Sequence, residues 1–197
     1  MRWATFIGAA LVAIVADASL MGALEVGGIA PRLTVVLVTF VALNADALTA
    51  SWAAVLCGAL IDLSDPSMTG PRSPHFLLGP HALGLLFGVQ GLVALRGSVV
   101  RRNPLALGAM TALLAVADGL VWVAIWTVRS WYPDSPPPWG ESSSLGQVGR
   151  QVLQALSTGI VAIPVGWLLA RTMPAWGFPS VLSRSRTQGG SARITRQ

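Results

Sequence analysis

Residues 3–24 hold a single ionisable side chain, Asp17, in an otherwise almost unbroken apolar stretch. At about 1.5 Å of rise per helical residue, such a stretch spans a bilayer hydrocarbon core of about 30 Å. Similar runs recur along the chain, and this recurrence constrains the fold more than any motif does. Of the 197 residues, 53% are hydrophobic and 11% charged, against about 45–50% and about 25% in an ordinary soluble domain. About five or six membrane spans of roughly 20 residues absorb that surplus, whereas a soluble core does not. The expected class is an all-α polytopic membrane protein, a six-helix transmembrane bundle. A secreted disulfide scaffold, a disordered tail and a free cytosolic enzyme are excluded. The lone cysteine, Cys57, has no partner for an internal disulfide, and no redox or cysteine-based metal site is expected.

The spans are expected near residues 3–24, 31–44, 47–63, 80–95, 105–128 and 152–170. The first admits two readings. Ala16-Asp17-Ala18 resembles a signal-peptide cleavage site, but apolar character continues past it through Leu20, Met21 and Leu24, which favours a span. The second is thin and either crosses, tilts or is partly re-entrant. Asn44-Ala45-Asp46 forms the turn between it and the third, which holds Gly58 and Asp62. Pro66, Pro71 and Pro74 mark a loop. The fourth run contains Gly84 and Gly88, a small-xxx-small spacing that lets helices approach closely. The fifth carries Asp118, and Pro164 interrupts the sixth. Between these two, a proline-rich segment at 133–140 lies between Trp131 and Trp139, and reads as an interfacial linker. Residues 172–197 are rich in Arg, Ser, Thr and Gly and are expected to be a disordered tail.

All thirteen basic residues are arginine, with a formal net charge of +5. In a soluble chain this would point to nucleic acid. In a membrane chain it reflects the accumulation of arginine in cytoplasmic loops, and no nucleic-acid partner is expected. With six spans, the side bearing both termini receives Arg2, Arg96, Arg101, Arg102 and the five arginines from Arg171 onward. The other side receives Arg32, Arg72, Arg129 and Arg150. Both termini are therefore expected in the cytoplasm. Asp17, Asp62 and Asp118 then fall on outward-running spans, each beyond the middle of its run. An ionisable group at such depth costs on the order of 3 kcal/mol and tends to find a partner inside the bundle. Arg32 and His81, at the outer starts of inward-running spans, are the available partners. The readings of these five as fold-specifying contacts, as partner contacts or as part of a proton or cation pathway remain open, the first being the simplest.

Catalytic signatures are missing from the sequence. There is no lysine and hence no GxxxxGK loop, no HExxH and no GxSxG. His75 and His81 are six residues apart, with Pro74 before the first and Pro80 between them and without ligands in register, and Asp62 and Asp65, three apart, end at Pro66. No enzyme activity, metal or cofactor is expected.

Pro31-Arg32-Leu33 opening a short span, GALIDL with Gly58 and Asp62 closing the next, and LLGPHALGLLFG opening a further span resemble the MreD family, small membrane subunits of the bacterial cell-wall elongation complex. The resemblance covers residues 31–96, about a third of the chain. Arg32 stands where the family often has an acid, and the segment near Pro136 is longer than the family pattern. The resemblance implies a multi-pass protein of the bacterial cytoplasmic (inner) membrane without catalytic activity. It further implies contact with an MreC-like partner and cell-wall synthesis enzymes, indirectly with an MreB-like filament, and a role in peptidoglycan synthesis and cell shape. It also implies a fold like that of the substrate-binding subunits of energy-coupling-factor vitamin transporters, which supplies the alternative function.

The arginine distribution makes a direct prediction. In a Cys57-free background, a single cysteine at Ser143 should react with an impermeant thiol reagent in intact cells, and one at Ser191 should not. Labelling at 191 alone would invert the orientation.

Overall fold

The computed structural model describes residues 1–64, 78–97, 103–132, 138–140 and 143–178. Among these the chain is all-helical, without a strand: α1 (Trp3–Ser19), α2 (Leu33–Asn44), α3 (Ala47–Ser64), α4 (Pro80–Leu95), α5 (Pro104–Arg129), α6 (Ser144–Arg171) and a single turn, α7 (Met173–Trp176). Three of them, α3, α5 and α6, are long and apolar enough to cross a membrane, while α1, α2 and α4 are shorter apolar helices. Helices of this length and composition are compatible with a membrane protein.

The organising element is the shortest of the six longer helices. Of the 12 residues of α2, every one from Thr34 to Leu43 is buried. Its sequence, LTVVLVTFVALN, has no polar face, and a helix that is apolar all round belongs in an interior. It touches α1, α3, α4, α5 and α6. Its 12 residues extend about 18 Å, well under a hydrocarbon thickness of about 30 Å. Neither end is left to solvent, because neighbouring segments supply the missing partners. Asp17 from α1 accepts from the first amides. Just past the C-terminal end of α4, Arg96 donates through Nη1 to the carbonyls of Ala45 at 2.7 Å and Ala42 at 3.4 Å. A carboxylate at the N-terminus and a guanidinium at the C-terminus also match the helix dipole.

Around α2, packing depends on small residues. A Cβ on Gly58 of α3 would strike the backbone of Ala82 in α4, and one on Gly88 would meet Leu114 and Ala117 of α5. On α5 and α6, Gly108 and Gly159 face each other, and Gly166 lies against Leu107. The Gly84 and Gly88 face is thus taken up by α5 of the same chain and is not open to a partner's backbone.

Three boundaries differ from the apolar runs. First, α1 ends at Ser19. A 3-10 turn and a two-residue reversal follow, in which Val26 and Ile29 exchange backbone hydrogen bonds around Gly27 and Gly28 at φ of 62° and 79°. Only glycine adopts that pair of angles without strain. Second, α6 starts eight residues ahead of residue 152, because the Ser143 hydroxyl accepts from the Gly146 amide and caps it. It then runs through Pro164 without a break. Third, the start of the expected tail is folded. The Arg2 amide donates to the Trp176 carbonyl, and the Trp176 ring stacks on Phe178 and meets Phe40 edge-on. Residues 179–197 of that tail, most of the proline-rich segment and the loop at 65–77 lie outside the described residues. At the α2–α3 turn, Asp46 accepts from the amide and hydroxyl of Thr49, and these bonds hold its carboxyl below the usual range.

Since Gly88 is packed inside the chain, Gly88→Leu should lower the thermal unfolding midpoint in detergent, with an overpacking cost of about 1–3 kcal/mol or more. Gly91→Leu, at an exposed position with open space around it, should leave the midpoint unchanged. Equal midpoints for the two would contradict this packing.

Candidate functional site: a polar cluster at one end of the helices

Helices that start inside a protein expose unpaired amides, and two aspartates answer that need in the same way. Asp17 sits near the C-terminal end of α1. Its Oδ1 accepts from the Leu33 amide, and its Oδ2 from the Thr34 amide at 3.0 Å and the Thr34 hydroxyl at 2.6 Å. Asp62 sits near the C-terminal end of α3. Its Oδ2 accepts from the Gly79 amide at 2.8 Å and the Ala82 amide at 3.4 Å, its Oδ1 from the His81 amide at 3.1 Å. In both cases the carboxylate on one helix caps the start of the next, 17 residues from the acid. A carboxylate accepting two or three amides at a helix N-terminus forms strong, charge-assisted bonds.

Asp118 on α5 breaks the pattern. Because α6 begins at Ser144 and extends well beyond this level, no helix start lies within its reach. Its Oδ2 instead meets His81 Nδ1 at 2.9 Å. Its Oδ1 is buried and makes no hydrogen bond among the described residues. Gly84, one turn into α4, allows this approach, since a Cβ there would overlap the Asp118 carboxylate.

Arg32 completes the cluster. Its amide donates to the Thr158 hydroxyl of α6 at 3.2 Å, and its Nη1 lies 3.2 Å from His81 Nε2. Guanidinium has no acceptor. His81 Nε2 must therefore accept from Arg32, which puts the imidazole proton on Nδ1, where it is donated to Asp118. The ring is the neutral Nδ1–H tautomer, assigned from its partners. Trp122 of α5 stacks over it at 6.2 Å between ring centroids.

The five residues singled out from the sequence, Asp17, Arg32, Asp62, His81 and Asp118, thus lie at one end of the helices. Arg32, His81 and Asp118 form a continuous chain, which Asp62 joins through the His81 backbone and Asp17 through the start of α2. Gly58 and Gly84 are the contacts that bring α3 and α5 against the start of α4. Beside the cluster lies a cleft of about 500 Å³ lined by Asp17, Glu25, Arg32, Thr34, Ser64 and Gln154, among others. Asp62, His81 and Asp118 lie behind its wall, each about 5% exposed or less. Three participants escape sequence reasoning: Thr34, Thr158 and Trp122. A hydroxyl or an indole inside an apolar run adds little to its polarity. The one usable signal is Thr34 immediately after Pro31-Arg32-Leu33, where a helix start needs a cap.

Chemically, the cluster holds helix ends and pairs one imidazole with a carboxyl group and a guanidinium. Among the described residues no group of three His, Cys, Asp or Glu is placed to hold a metal ion. Compared with protein-family models, with curated proteins and with solved structures, the chain matches none.

Asp62→Leu should leave three amides without an acceptor, a loss on the order of 3 kcal/mol or more, and lower the protein's abundance in membranes. Asp62→Asn retains one acceptor oxygen and should lose less. Unfolding midpoints in detergent check the ranking, and a leucine variant as stable as the parent would remove Asp62 from the cluster.

Proposed function

We propose that the chain is a six-span, non-enzymatic subunit of the cell-wall elongation complex in a bacterial cytoplasmic membrane, MreD-like, with both termini in the cytoplasm. In this reading it binds an MreC-like partner. Through that contact it helps hold the peptidoglycan-synthesis enzymes in register with an MreB-like filament and so influences cell shape. One observation carries the proposal. The three short segments that resemble MreD are far apart in sequence, yet they meet at a single place. Arg32 contacts His81, Asp62 accepts from the His81 amide, and Gly58 lies against Ala82. Segments that share a structural task are expected to be retained together, whereas a chance match to three degenerate patterns has no reason to converge.

Supporting features are consistent with an assembly role. Asp62, His81 and Asp118 are buried and bonded to one another's side chains or backbone. The outer faces of the helices carry exposed apolar side chains, among them Ile7, Leu11, Val12 and Val15 on α1, suited to lipid and to a partner's membrane helix. On the expected cytoplasmic side Arg2, Arg96 and Arg171 stand at helix ends.

The cleft beside Asp17 favours a second reading, a substrate-binding subunit of an energy-coupling-factor type vitamin transporter. Of Asp17, Asp62, Asp118 and His81, however, only Asp17 lines it. Affinity purification from native membranes separates the two readings. An MreC-like protein should co-purify, and depletion in a rod-shaped host should round the cells. Co-purification of an ATPase pair with a bound vitamin-like ligand, with cell shape unchanged, would replace the first reading by the second.

A further inference from the structure

The contacts of His81 have a consequence that does not depend on the reading above. Its ring is held between a donor that cannot accept, Arg32, and a carboxyl oxygen that accepts, Asp118 Oδ2. Among the described residues, charged groups approach it from three segments. From α3 comes Asp62, bonded to the His81 amide. From α5 comes Asp118, with Trp122 over the ring. From the chain ahead of α2 comes Arg32, which lines the cleft together with Asp17 and Glu25. His81 is the one titratable side chain on α4.

We propose that His81 and Asp118 form a buried proton-binding site, in which a proton and the Arg32 guanidinium compete for the same atom, His81 Nε2. The unprotonated ring accepts from Arg32 and keeps it against α4. When Nε2 takes up a proton from water it becomes a donor. The bond from Arg32 is then lost, and two cations face each other across about the same gap. Asp118 stays bonded to Nδ1–H and holds the imidazolium by charge as well as by hydrogen bonding. The Asp118 Oδ1 atom supplies an independent indication, since a buried carboxylate oxygen without a donor is an incomplete site for positive charge. Arg32 already forms part of the cleft wall, which Asp17 and Glu25 also line. Proton uptake at His81 therefore changes the charge presented in the cleft, and links pH on that side of the helices to whatever contacts the cleft makes. The ligand of the site is the proton itself.

The test uses the full chain in lipid nanodiscs with His75→Gln, which leaves His81 as the only histidine, and with ¹⁵N-labelled imidazole. Histidines ordinarily exchange their second proton at about pH 5–8, so spectra from about pH 9 to about pH 4 cover the transition. At the alkaline end Nδ1 should carry the proton and Nε2 should not, the reverse of the tautomer usual for a solvated ring. On acidification both nitrogens should become protonated in one step. Arg32→Gln, which removes the competitor, should move the midpoint upward by about one pH unit or more, and Asp118→Asn should move it downward by a similar amount. Opposite shifts place the ring between the two charges, and the alkaline tautomer identifies Nε2 as the atom that Arg32 and the proton share. An Nε2–H ring at the alkaline end, no second proton by about pH 4, or one midpoint shared by parent and variants would each overturn the proposal. If a variant fails to fold, the tautomer and titration of the parent decide on their own.

Discussion

The arrangement depends on a helix that has no surface of its own. α2 is apolar on every side and buried from Thr34 to Leu43, so its unpaired end groups must be satisfied by other helices. That requirement fixes much of the surrounding structure. α1 must bring Asp17 level with Leu33 and Thr34, the end of α4 must bring Arg96 to the last carbonyls, and α6 must offer Thr158 to the amide of Arg32. A short helix is acceptable here because its length need not match a bilayer when its neighbours meet its ends.

The same economy explains the polar cluster. Asp17 and Asp62 each close the gap between one helix and the start of the next. Asp118 has no such start to cap, because α6 extends past it, so it turns to His81 instead. This irregularity joins two ionisable side chains directly, where the other two acids meet backbone amides. Glycines at 58 and 84 make the geometry reachable, since a methyl group at either would separate α4 from its neighbours. The capping by Asp62 and the His81–Asp118 contact meet at His81, whose amide donates to one acid and whose ring meets the other, so a substitution aimed at one will disturb the other.

Much of this was legible in the sequence, and the rest was hidden for physical reasons. Apolar runs and turns located the helices to within a few residues at most ends, and the depth of Asp17, Asp62 and Asp118 singled out Arg32 and His81 as the groups to look for around them. Hydropathy, however, measures transfer out of water and does not distinguish lipid from protein interior, so the short second run gave no sign that it lies at the centre. Gly84 and Gly88 advertised a close contact without saying with what, and the contact is with α5. α6 begins earlier than its apolar run because its first turns carry Gly, Gln and Arg, tolerable where a helix leaves the apolar layer. Trp176 and Phe178, in an arginine-bearing segment, pack on Phe40 because aromatic area outweighs local polarity.

The central claim is that α2 meets protein on all sides. Carbene footprinting with a lipid-partitioning diazirine, on the full chain in nanodiscs, tests it directly. After photolysis and peptide mass spectrometry, residues 34–43 should carry almost no label, while the exposed positions Val12 and Val15 of α1 and Leu113 and Leu120 of α5 should be labelled heavily. Label on α2 at the level of α1 would mean that the second helix faces lipid, and would contradict the account.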